Sequence, residues 1–553
     1  MWSSLVALLA ISSSVLATKN TPTVRVKNGT IEGVHSSSYN QDFFLGVPFA
    51  QPPLGDLRFR QAQSLNATWK GSRDAKQYAT HCVGYGLDQT FYNASEDCLY
   101  LNVVRPSGYE NQKLPVAFWI HGGTFTNGGG ADQRYNLSFI VEQSVKIGKP
   151  IIGVSINYRL SFWGFTSSNE LADDGLLNIG LRDQRKALHW VQENIKAFGG
   201  DHKKVTIFGE SAGAASIGFH LTAYRGRDDS LFRAAILQSG SPIFYSAQRG
   251  RNASQAAFNT VVSQVGCTSS PDKIQCLRNT PFATLNTTMN GTLSSTGGFA
   301  PVTDGDLIQD YGSLQLSRGE FVQVPILIGT NSDEGASFAP YGINTTAQFQ
   351  ASLSASGLPL AVQTALLNAY PDDLSTNVIA ALGPQGRPAP RFGAQFRRVA
   401  TYIGDQTFVA NRRATAAAWA RQNATAFAYR FNADQAGFAP ELAVSHFKEI
   451  GFVFNNIEGV GFRPDIKPFE GKPQRYVDLA EFVSSSWVSF VNDLDPGAWR
   501  KGDKSVDVWP KYELEAPRDF VFEVNKTSGV EVDTWRAEGI EFINRNALAL
   551  FGR

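Results

Sequence analysis

A nine-residue stretch of this sequence, Val205–Gly213, could present a serine nucleophile. It reads as a buried strand that stops at Gly209, followed by Ser211 and a helix that starts near Ala212. So sharp a turn strains the backbone at the serine and leaves room only for small residues two positions before and after it, here Gly209 and Gly213. The alternative is an ordinary turn in which Ser211 caps the helix. The first interpretation predicts that Ser211 attacks a carbonyl group, with the helix amino terminus stabilising negative charge.

A serine hydroxyl needs a general base, and only two of the seven histidines follow Ser211. Chains with this kind of turn carry their acid between the serine and the histidine. His220 lies on the helix directly behind Ser211, which leaves no room for an intervening acid. His446 is therefore the predicted base.

Three carboxylates compete for the role of the acid. Residues 324–335 predict a strand that is followed by Asp333 and Glu334, and composition does not choose between these two. Asp304 is a weaker third candidate, because it belongs to an Asp-Gly pair of the kind common in turns.

Acyl transfer also requires hydrogen-bond donors for the oxyanion. The sequence His121-Gly-Gly directly follows a predicted strand, as in the His-Gly-Gly loops of esterases. The predicted donors are the backbone amides of Gly123, Thr124 and Ala212. A glycine-rich turn without function is the alternative, and its coincidence with the serine turn favours the oxyanion hole.

Short apolar runs that alternate with helical patterns predict the elements that carry these residues. Continuous apolar runs are typical of strands buried on both faces, and the clearest helical pattern covers residues 178–198. The alternation predicts an α/β fold with a large, mostly parallel sheet covered by helices on both faces. We expect one domain over residues 18–553, with a possible helical insertion at about 340–420. The strand candidates are Pro115–Ile120, Pro150–Ile156, Val205–Gly209, Ala234–Leu237, Val324–Gly329 and Ala424–Tyr429.

Charge and hydropathy narrow the classes of partner. The 50 Lys and Arg residues nearly balance the 49 Asp and Glu residues and form no basic stripe, so nucleic acid is not an expected partner. The apolar run Leu5–Leu16 predicts a signal peptide over residues 1–17 and hence a secreted protein. It is too short to span a bilayer, so no stable membrane anchor is expected. The sequence does not predict an oligomeric state.

Cysteines and glycosylation sequons fit a secreted protein. Four cysteines can pair in three ways. We favour the pairing between sequence neighbours, because it closes two short loops and needs no contact between distant parts of the chain. Roughly half of the sequons are expected to carry glycans. The cysteines are Cys82, Cys98, Cys267 and Cys276, and the sequons are at Asn28, Asn66, Asn93, Asn136, Asn252, Asn286, Asn290, Asn344, Asn423 and Asn525.

These motifs resemble those of the type-B carboxylesterase and lipase family, which also contains the cholinesterases and many fungal lipases and esterases. Residues 198–213 resemble the serine signature of that family, and residues 96–103 resemble its second signature. The likeness runs from the Phe-Leu-Gly-Val-Pro-Phe stretch at residue 44 to the Trp-Pro-Lys-Tyr stretch at residue 509. It covers nearly the whole mature chain.

The resemblance implies an α/β-hydrolase fold with helical cap insertions, Glu334 as the acid, and the bridges Cys82–Cys98 and Cys267–Cys276. In the implied mechanism His446, held by Glu334, takes the proton of Ser211 during acyl transfer, with no metal or organic cofactor. One departure is Thr124, where the family often has a third glycine. Its backbone donor survives, but a β-branched side chain narrows the entrance and restricts the backbone.

The substrate is expected to be a small-molecule ester. Residues 83–97, between two cysteines, form a loop shorter and more polar than the lids of related lipases, which favours soluble esters over emulsified fats. The loop has no Trp to hold a quaternary ammonium, which disfavours choline esters. Small residues before Phe299 predict an open pocket for a bulky or aromatic acyl group, such as a hydroxycinnamate. The predicted pocket residues are Phe125, Ser295, Gly297 and Phe299.

Two rival interpretations remain. The rival enzyme is a triacylglycerol lipase or sterol esterase. The rival of another class is a non-catalytic, cholinesterase-like binding protein. The presence of Ser211, Glu334 and His446 favours an enzyme.

Overall fold

The structure is a computed structural model that describes residues 21–291, 293–294, 297–375, 387–464, 466–502 and 505–553. The predicted signal peptide and Ser295 lie outside these ranges.

Eleven of the described strands form the central sheet. The six neighbouring pairs between the strands Arg518–Glu523 and Ile152–Ile156 are parallel, and the outer pairs are antiparallel. Strands such as Leu114–Ile120 are buried along their whole length, which explains their unbroken apolar sequences. In spatial order the strands are Gly529–Val532, Arg518–Glu523, Ala426–Asn432, Ile326–Asn331, Ala234–Gln238, Gly200–Glu210, Leu114–Ile120, Ile152–Ile156, Tyr100–Pro106, Gln41–Pro48 and Val34–Ser36.

Two small sheets accompany the large one. Thr23–Val26, Gly29–Glu32 and Ser72–Asp74 form a three-stranded sheet, and His81–Cys82 pairs with Ala94–Ser95.

Helices cover both faces of the central sheet. Val116 and Phe118 belong to one buried cluster and Ala117 and Trp119 to another, as the alternation of side chains along a strand requires. The first cluster includes side chains of the helix Ala212–Gly226, and the second includes side chains of Arg475–Asp493. The predicted fold class, a mostly parallel sheet between layers of helices, is confirmed. The α-helices are Leu137–Lys146, Ser161–Phe165, Asn169–Asp173, Ile179–Asn194, Ala212–Gly226, Gln255–Gln264, Lys273–Asn279, Phe282–Met289, Gly312–Arg318, Thr346–Ala355, Leu360–Ala369, Phe396–Gly404, Ala410–Arg421, Ile450–Val453, Arg475–Asp493 and Ala537–Arg545.

The interval between the strands Ile326–Asn331 and Ala426–Asn432 is largely helical. Side chains of its helices, among them Phe349, Leu366 and Phe396, form a separate buried cluster with Ile540 of the last helix. This part of the chain therefore has a small core of its own beside the sheet.

Both predicted disulfides are confirmed. Cys82–Cys98 joins Cα atoms 4.9 Å apart and Cys267–Cys276 joins Cα atoms 5.8 Å apart. Within the described ranges, no helix combines the length and the apolar character that a membrane span needs.

Candidate active site

Ser211 lies at the turn that the sequence predicted. The strand Gly200–Glu210 ends directly before it, the helix Ala212–Gly226 begins directly after it, and its backbone is strained, with φ 58° and ψ −122°. The flanking glycines are required by close packing. A Cβ atom at Gly209 would lie 2.6 Å from the carbonyl oxygen of Ile120, and one at Gly213 would lie 2.0 Å from the same oxygen.

The carboxyl ends of neighbouring parallel strands bring the other predicted residues to the same edge of the sheet. Ile326–Asn331 leads into Glu334, and the next strand, Ala426–Asn432, leads into the loop that carries His446. Nδ1 of His446 lies 2.7 Å from Oε2 of Glu334. This contact fixes the ring orientation and leaves Nε2 for proton transfer.

The structure distinguishes the three candidate acids. Glu334 is fully buried, and besides His446 it accepts hydrogen bonds from the backbone amide of Asn331, at 2.7 Å, and from the hydroxyl of Ser239. Asp333 instead accepts from the backbone amide of Val444, at 3.1 Å. Asp304 holds a turn through the backbone amides of residues 306 and 308. Of the three, only Glu334 touches His446.

Further hydrogen bonds connect the turn that carries Glu334 to the loop that carries His446. The amide of Asp333 donates to the carbonyl of Val444, at 3.0 Å, and Nδ2 of Asn331 donates to the carbonyl of Ser445, at 2.9 Å. Asn331 also donates to Glu449, at 2.7 Å. The 2.7 Å contact between Glu334 and His446 thus lies inside a connected network.

A second carboxylate faces the other nitrogen of His446. Nε2 lies 3.1 Å from Oε1 of Glu210, the residue before Ser211. Ser211, Glu210 and His446 line the same cavity, whose volume is about 540 Å³. Ser211 and His446 therefore border one cavity, and Glu210 is the group that contacts Nε2 there.

The electrostatics of His446 and Glu210 are coupled. Burial alone would lower the pKa of His446, but the charges of Glu210 and Glu334 outweigh it and raise this pKa to about 9. Burial raises the pKa of Glu210 well above its ordinary value, although His446 opposes the rise. When Glu210 holds a proton its attraction for His446 vanishes, and Glu334 remains as the partner that favours the imidazolium form.

The predicted oxyanion loop lines the same cavity. Gly123 and Thr124 have φ values of 95° and 56°, and within the described chain neither amide donates a hydrogen bond. Ala212 is the first residue of its helix, so its amide has no acceptor within the helix. Thr124 adopts a positive φ that is more typical of glycine. Its hydroxyl donates a hydrogen bond to the carbonyl of Gly123, at 2.8 Å. Its side chain is thereby fixed at the exposed rim.

The predicted acyl-pocket residues need correction. Phe125 is fully buried against the rings of Phe165 and Phe244, and Phe299 is buried edge-on against Phe162. A Cβ atom at Gly297 would lie 2.2 Å from the ring of Phe299, so the small residue accommodates that ring. Both rings are buried, and neither is among the described residues that line the cavity with Ser211.

Two residues outside the site also bear on the sequence-based expectations. His220 is buried, with Nε2 2.8 Å from Oε1 of Gln184, in agreement with its exclusion as the base. Asn28 is buried, and its Nδ2 donates to the carbonyls of Leu65 and Ala67, at 2.7 and 3.0 Å. In this arrangement the Asn28 nitrogen is engaged inside the protein, which disfavours a glycan there. Glycosylation stays a prediction at every sequon.

Sequence reasoning missed several groups that contact the predicted site. Ser239 has φ 53° and donates to Glu334, and Glu449 accepts from Asn331 and Gln238. The position of Ser239 directly after the strand Ala234–Gln238 was a usable signal, because the carboxyl ends of parallel strands collect functional residues. Glu449 carried no signal beyond its proximity in sequence to His446.

The sheet and the group of residues at its carboxyl edge define an α/β-hydrolase. Comparison with known families agrees with this class, because the model of the Carboxylesterase family matches residues 20–540. The chain belongs to the carboxylesterase family, and its class of activity is ester hydrolysis.

Similar sequences come from fungi. The chain is 34% identical to "Secreted lipase 1" of Botryotinia fuckeliana over 529 residues, which cover 89% of this chain and 87% of that protein. It is 32% identical to "Lipase 2" of Geotrichum candidum, with 93% of each chain covered.

Solved structures also resemble this chain. The crystal structure of Aspergillus niger EstA matches with a TM-score of 0.82 at 29% identity, covering 96% of this chain and 99% of that one. A PNB esterase matches with a TM-score of 0.73 at 26% identity, covering 94% and 99%.

Proposed function

We propose that this protein is a secreted serine carboxylesterase that works through an acyl-enzyme on soluble or moderately hydrophobic esters. The observation that carries the proposal is the 2.7 Å contact between His446 and Glu334 beside a strained serine turn at Ser211 in the same cavity. Secretion is supported by the two disulfides and by the name of the relative in Botryotinia fuckeliana.

The proposed reaction uses the residues of this chain alone. His446 takes the proton of Ser211 as the hydroxyl oxygen attacks the ester carbonyl, and Glu334 stabilises the imidazolium. The amides of Gly123, Thr124 and Ala212 stabilise the oxyanion. His446 then protonates the departing alcohol, and an acyl-enzyme remains until water, activated by the same histidine, releases the acid.

A burst experiment tests the proposal. Purified protein is mixed with 4-nitrophenyl acetate, and the first turnover is followed by the release of nitrophenolate. We expect a burst of about one equivalent, which Ser211→Ala abolishes while the unfolding temperature stays close to that of the wild type. Release of nitrophenolate by the folded wild-type protein that is no faster than by Ser211→Ala would favour the non-catalytic binding protein and reject the esterase.

A lipase is the second candidate, and the mouth of the cavity favours it. Leu87 and Phe91 on the loop between Cys82 and Cys98 are 77% and 66% exposed. They present more apolar surface than the polar composition of this loop suggested. The printed names of the fungal relatives support the same candidate.

Activity measured across the solubility limit of one ester separates the two candidates. A carboxylesterase saturates with dissolved tributyrin, whereas a lipase becomes much faster once the substrate forms droplets. Matched acetyl, octanoyl and feruloyl esters then measure acyl preference. The preference for hydroxycinnamoyl esters has no support from Phe125 and Phe299, because both rings are buried.

A further inference from the structure

A second cavity adjoins the one that holds Ser211. Its volume is about 350 Å³, and the two cavities share Ser337, His446 and Phe447 among their lining residues. Much of its wall is apolar, which suits a ring or a short hydrocarbon chain. Six of the apolar lining residues are Leu87, Phe91, Phe438, Leu442, Phe462 and Ile466.

One buried amine belongs to the wall of this second cavity. Lys448 lies two residues after His446, is 3% exposed, and its Nζ donates no hydrogen bond to any described residue. Nζ lies over the ring of Phe438, which lines the same cavity. Lysines are almost never this buried without a paired acceptor, and a buried donor without one destabilises the fold.

Among the described residues, none supplies the missing acceptor of Lys448. Asp434 is the acid that acts on it electrostatically, but Nζ of Lys472 lies 2.7 Å from Asp434, and the hydroxyl of Tyr476 also donates to it. Burial lowers the pKa of Lys448 to about 6, as expected of an amine that lacks a counter-ion. The backbone of Lys448 is held, because its carbonyl accepts from Nε2 of Gln435, at 2.6 Å.

The position of the second cavity indicates which part of an ester it receives. In the proposed reaction His446 protonates the oxygen of the leaving alcohol, so the alcohol must depart on the side of the histidine. His446, Phe447 and Lys448 all line the second cavity, and the first two also line the cavity with Ser211. The second cavity therefore lies on the alcohol side of the scissile bond.

We propose that Lys448 is a specificity-determining residue whose amine binds an oxygen acceptor, above all a carboxylate, on the alcohol portion of the ester. This inference rests on the proposed ester hydrolysis. The ring of Phe438 covers Nζ, so binding of the acceptor requires this ring to move. The apolar wall holds the rest of the alcohol. The predicted substrate class is esters of aromatic or short aliphatic alcohols that carry a carboxylate away from the ester oxygen.

Two pairs of acetate esters test the inference. Each pair compares an ester that carries a carboxylate with an uncharged ester of similar shape. The first pair is 4-acetoxybenzoate and 4-methylphenyl acetate. The second pair is 3-(4-acetoxyphenyl)propanoate and 4-propylphenyl acetate. All four form the same acetyl-enzyme, so deacylation is common to them. The quantity compared is kcat/KM of the acidic ester divided by kcat/KM of its partner, which cancels general losses of activity.

The variants are Lys448→Met, which keeps the length of the side chain without the amine, and Arg463→Gln as a control at the exposed rim of the same cavity. For the better acidic ester we expect the ratio to fall about tenfold or more in Lys448→Met and to change less than about threefold in Arg463→Gln. An unchanged ratio in Lys448→Met for both pairs overturns the inference. So does a larger fall in Arg463→Gln, because the acceptor would then be bound at the rim.

A binding measurement separates this inference from the proposed function. If the wild-type protein hydrolyses none of the four esters, the proposed function fails, and calorimetric titration with 4-hydroxybenzoate and 3-(4-hydroxyphenyl)propanoate tests the site alone. Binding that Lys448→Met weakens supports the site, and binding that it leaves unchanged, or no binding, overturns it. Thermal unfolding checks that the variant is folded, and Lys448→Gln replaces it in every measurement if it is not.

Discussion

Glu334 accepts hydrogen bonds from an imidazole, a hydroxyl and a backbone amide while having almost no exposed surface. A glutamine at this position would turn an amide NH₂ or a weaker acceptor toward His446 and disturb the tautomer that leaves Nε2 basic. We expect Glu334→Gln to lower kcat by about 10³–10⁴-fold with little change in KM. Steady-state kinetics with a 4-nitrophenyl ester measures both constants.

Asp333→Asn is the matched control, because an asparagine keeps an oxygen that can accept from the amide of Val444. Its kcat should stay within about tenfold of the wild type. If Asp333→Asn proves the more damaging substitution, the assignment of the acid is wrong.

When it is ionised, Glu210 raises the pH at which His446, the predicted base, loses its proton. Its carboxylate lies 3.1 Å from Nε2 and favours the imidazolium form. Replacing it with neutral glutamine lowers the raised pKa of His446, so the basic imidazole is present at lower pH. In Glu210→Gln we expect the acid limb of the kcat/KM profile to move to lower pH by about one unit or more, where one unit corresponds to about 1.4 kcal/mol.

Profiles of kcat/KM against pH for the wild type, Glu210→Gln and Glu470→Gln measure this shift. Glu470 is the control, since its side chain is 69% exposed and pairs only with Lys467 among the described salt bridges. A limb that stays in place, or moves to higher pH, contradicts the role of Glu210.

At the scale of elements, the strand Leu114–Ile120 packs directly against the helix that follows Ser211. A methyl group at Gly213 would lie 2.0 Å from the carbonyl oxygen of Ile120. Gly213→Ala must push helix and strand apart, which we expect to destabilise the protein by about 1–3 kcal/mol. Because Ser211 moves relative to the oxyanion loop, kcat/KM should fall by about 10²-fold.

Urea unfolding and ester kinetics measure the two effects of Gly213→Ala. Gly250→Ala is the control, because Gly250 is exposed and a Cβ atom there would meet nothing within 4 Å. Equal stability and activity of the two variants would show that the serine turn tolerates a side chain at position 213.

The features that could be predicted from the sequence are those that a short stretch of the chain determines. The serine turn is a local pattern, since the strand, both glycines and the helix lie within Val205–Gly213, and each predicted apolar run overlaps a strand. Glu334 and Asp333 stand in one turn, so the residues alone could not choose between them. That choice depends on which side chain faces His446, more than a hundred residues later in the chain.

Other features depend on contacts that leave no pattern in the sequence. The small residues before Phe299 suggested space for a substrate, but the Phe299 ring itself occupies the space beside Gly297. Lys448 gave no signal, because a lysine in a sequence is by default expected at the surface. In both cases the tertiary packing reverses what residue type alone predicts.

At the scale of the whole molecule, a buried charge network joins a helix to the edge of the sheet. Arg412, on the helix Ala410–Arg421, pairs with Asp533 and lies 3.4 Å from Asp519. Burial raises the pKa of Asp519 to about 7. Burial alone would also raise that of Asp533, but Arg412 and Arg413 hold the pKa of Asp533 well below its usual range. Asp533 is therefore the main partner of the guanidinium at neutral pH.

Removing this guanidinium leaves a buried carboxylate with fewer partners. We expect Arg412→Met to lower the free energy of unfolding at pH 7 by about 3–5 kcal/mol, as for other broken buried pairs. A carboxylate with a lowered pKa stabilises the fold above its ordinary pKa of about 4, and this contribution is lost as the pH falls toward the lowered value. The difference between the two proteins should therefore narrow in acid.

Urea unfolding of the wild type and Arg412→Met at several pH values measures this difference. Lys467→Met is the control, because it breaks an exposed pair with Glu470 and should cost less than about 1 kcal/mol. A loss in Arg412→Met that is as small as in this control, or that grows in acid, contradicts the role of the network.

The loop closed by Cys82 and Cys98 has a consequence for how this protein can be diversified. Its two ends are fixed 4.9 Å apart by the disulfide and by the short strand pair His81–Cys82 with Ala94–Ser95. Between these fixed ends it brings Leu87, Asp88 and Phe91 to the cavity mouths. We therefore expect that a loop of another length, grafted between the same two cysteines, changes the accepted substrates while the sheet that carries Ser211 keeps its packing, provided that the buried Val83 and the half-buried Tyr85 are retained.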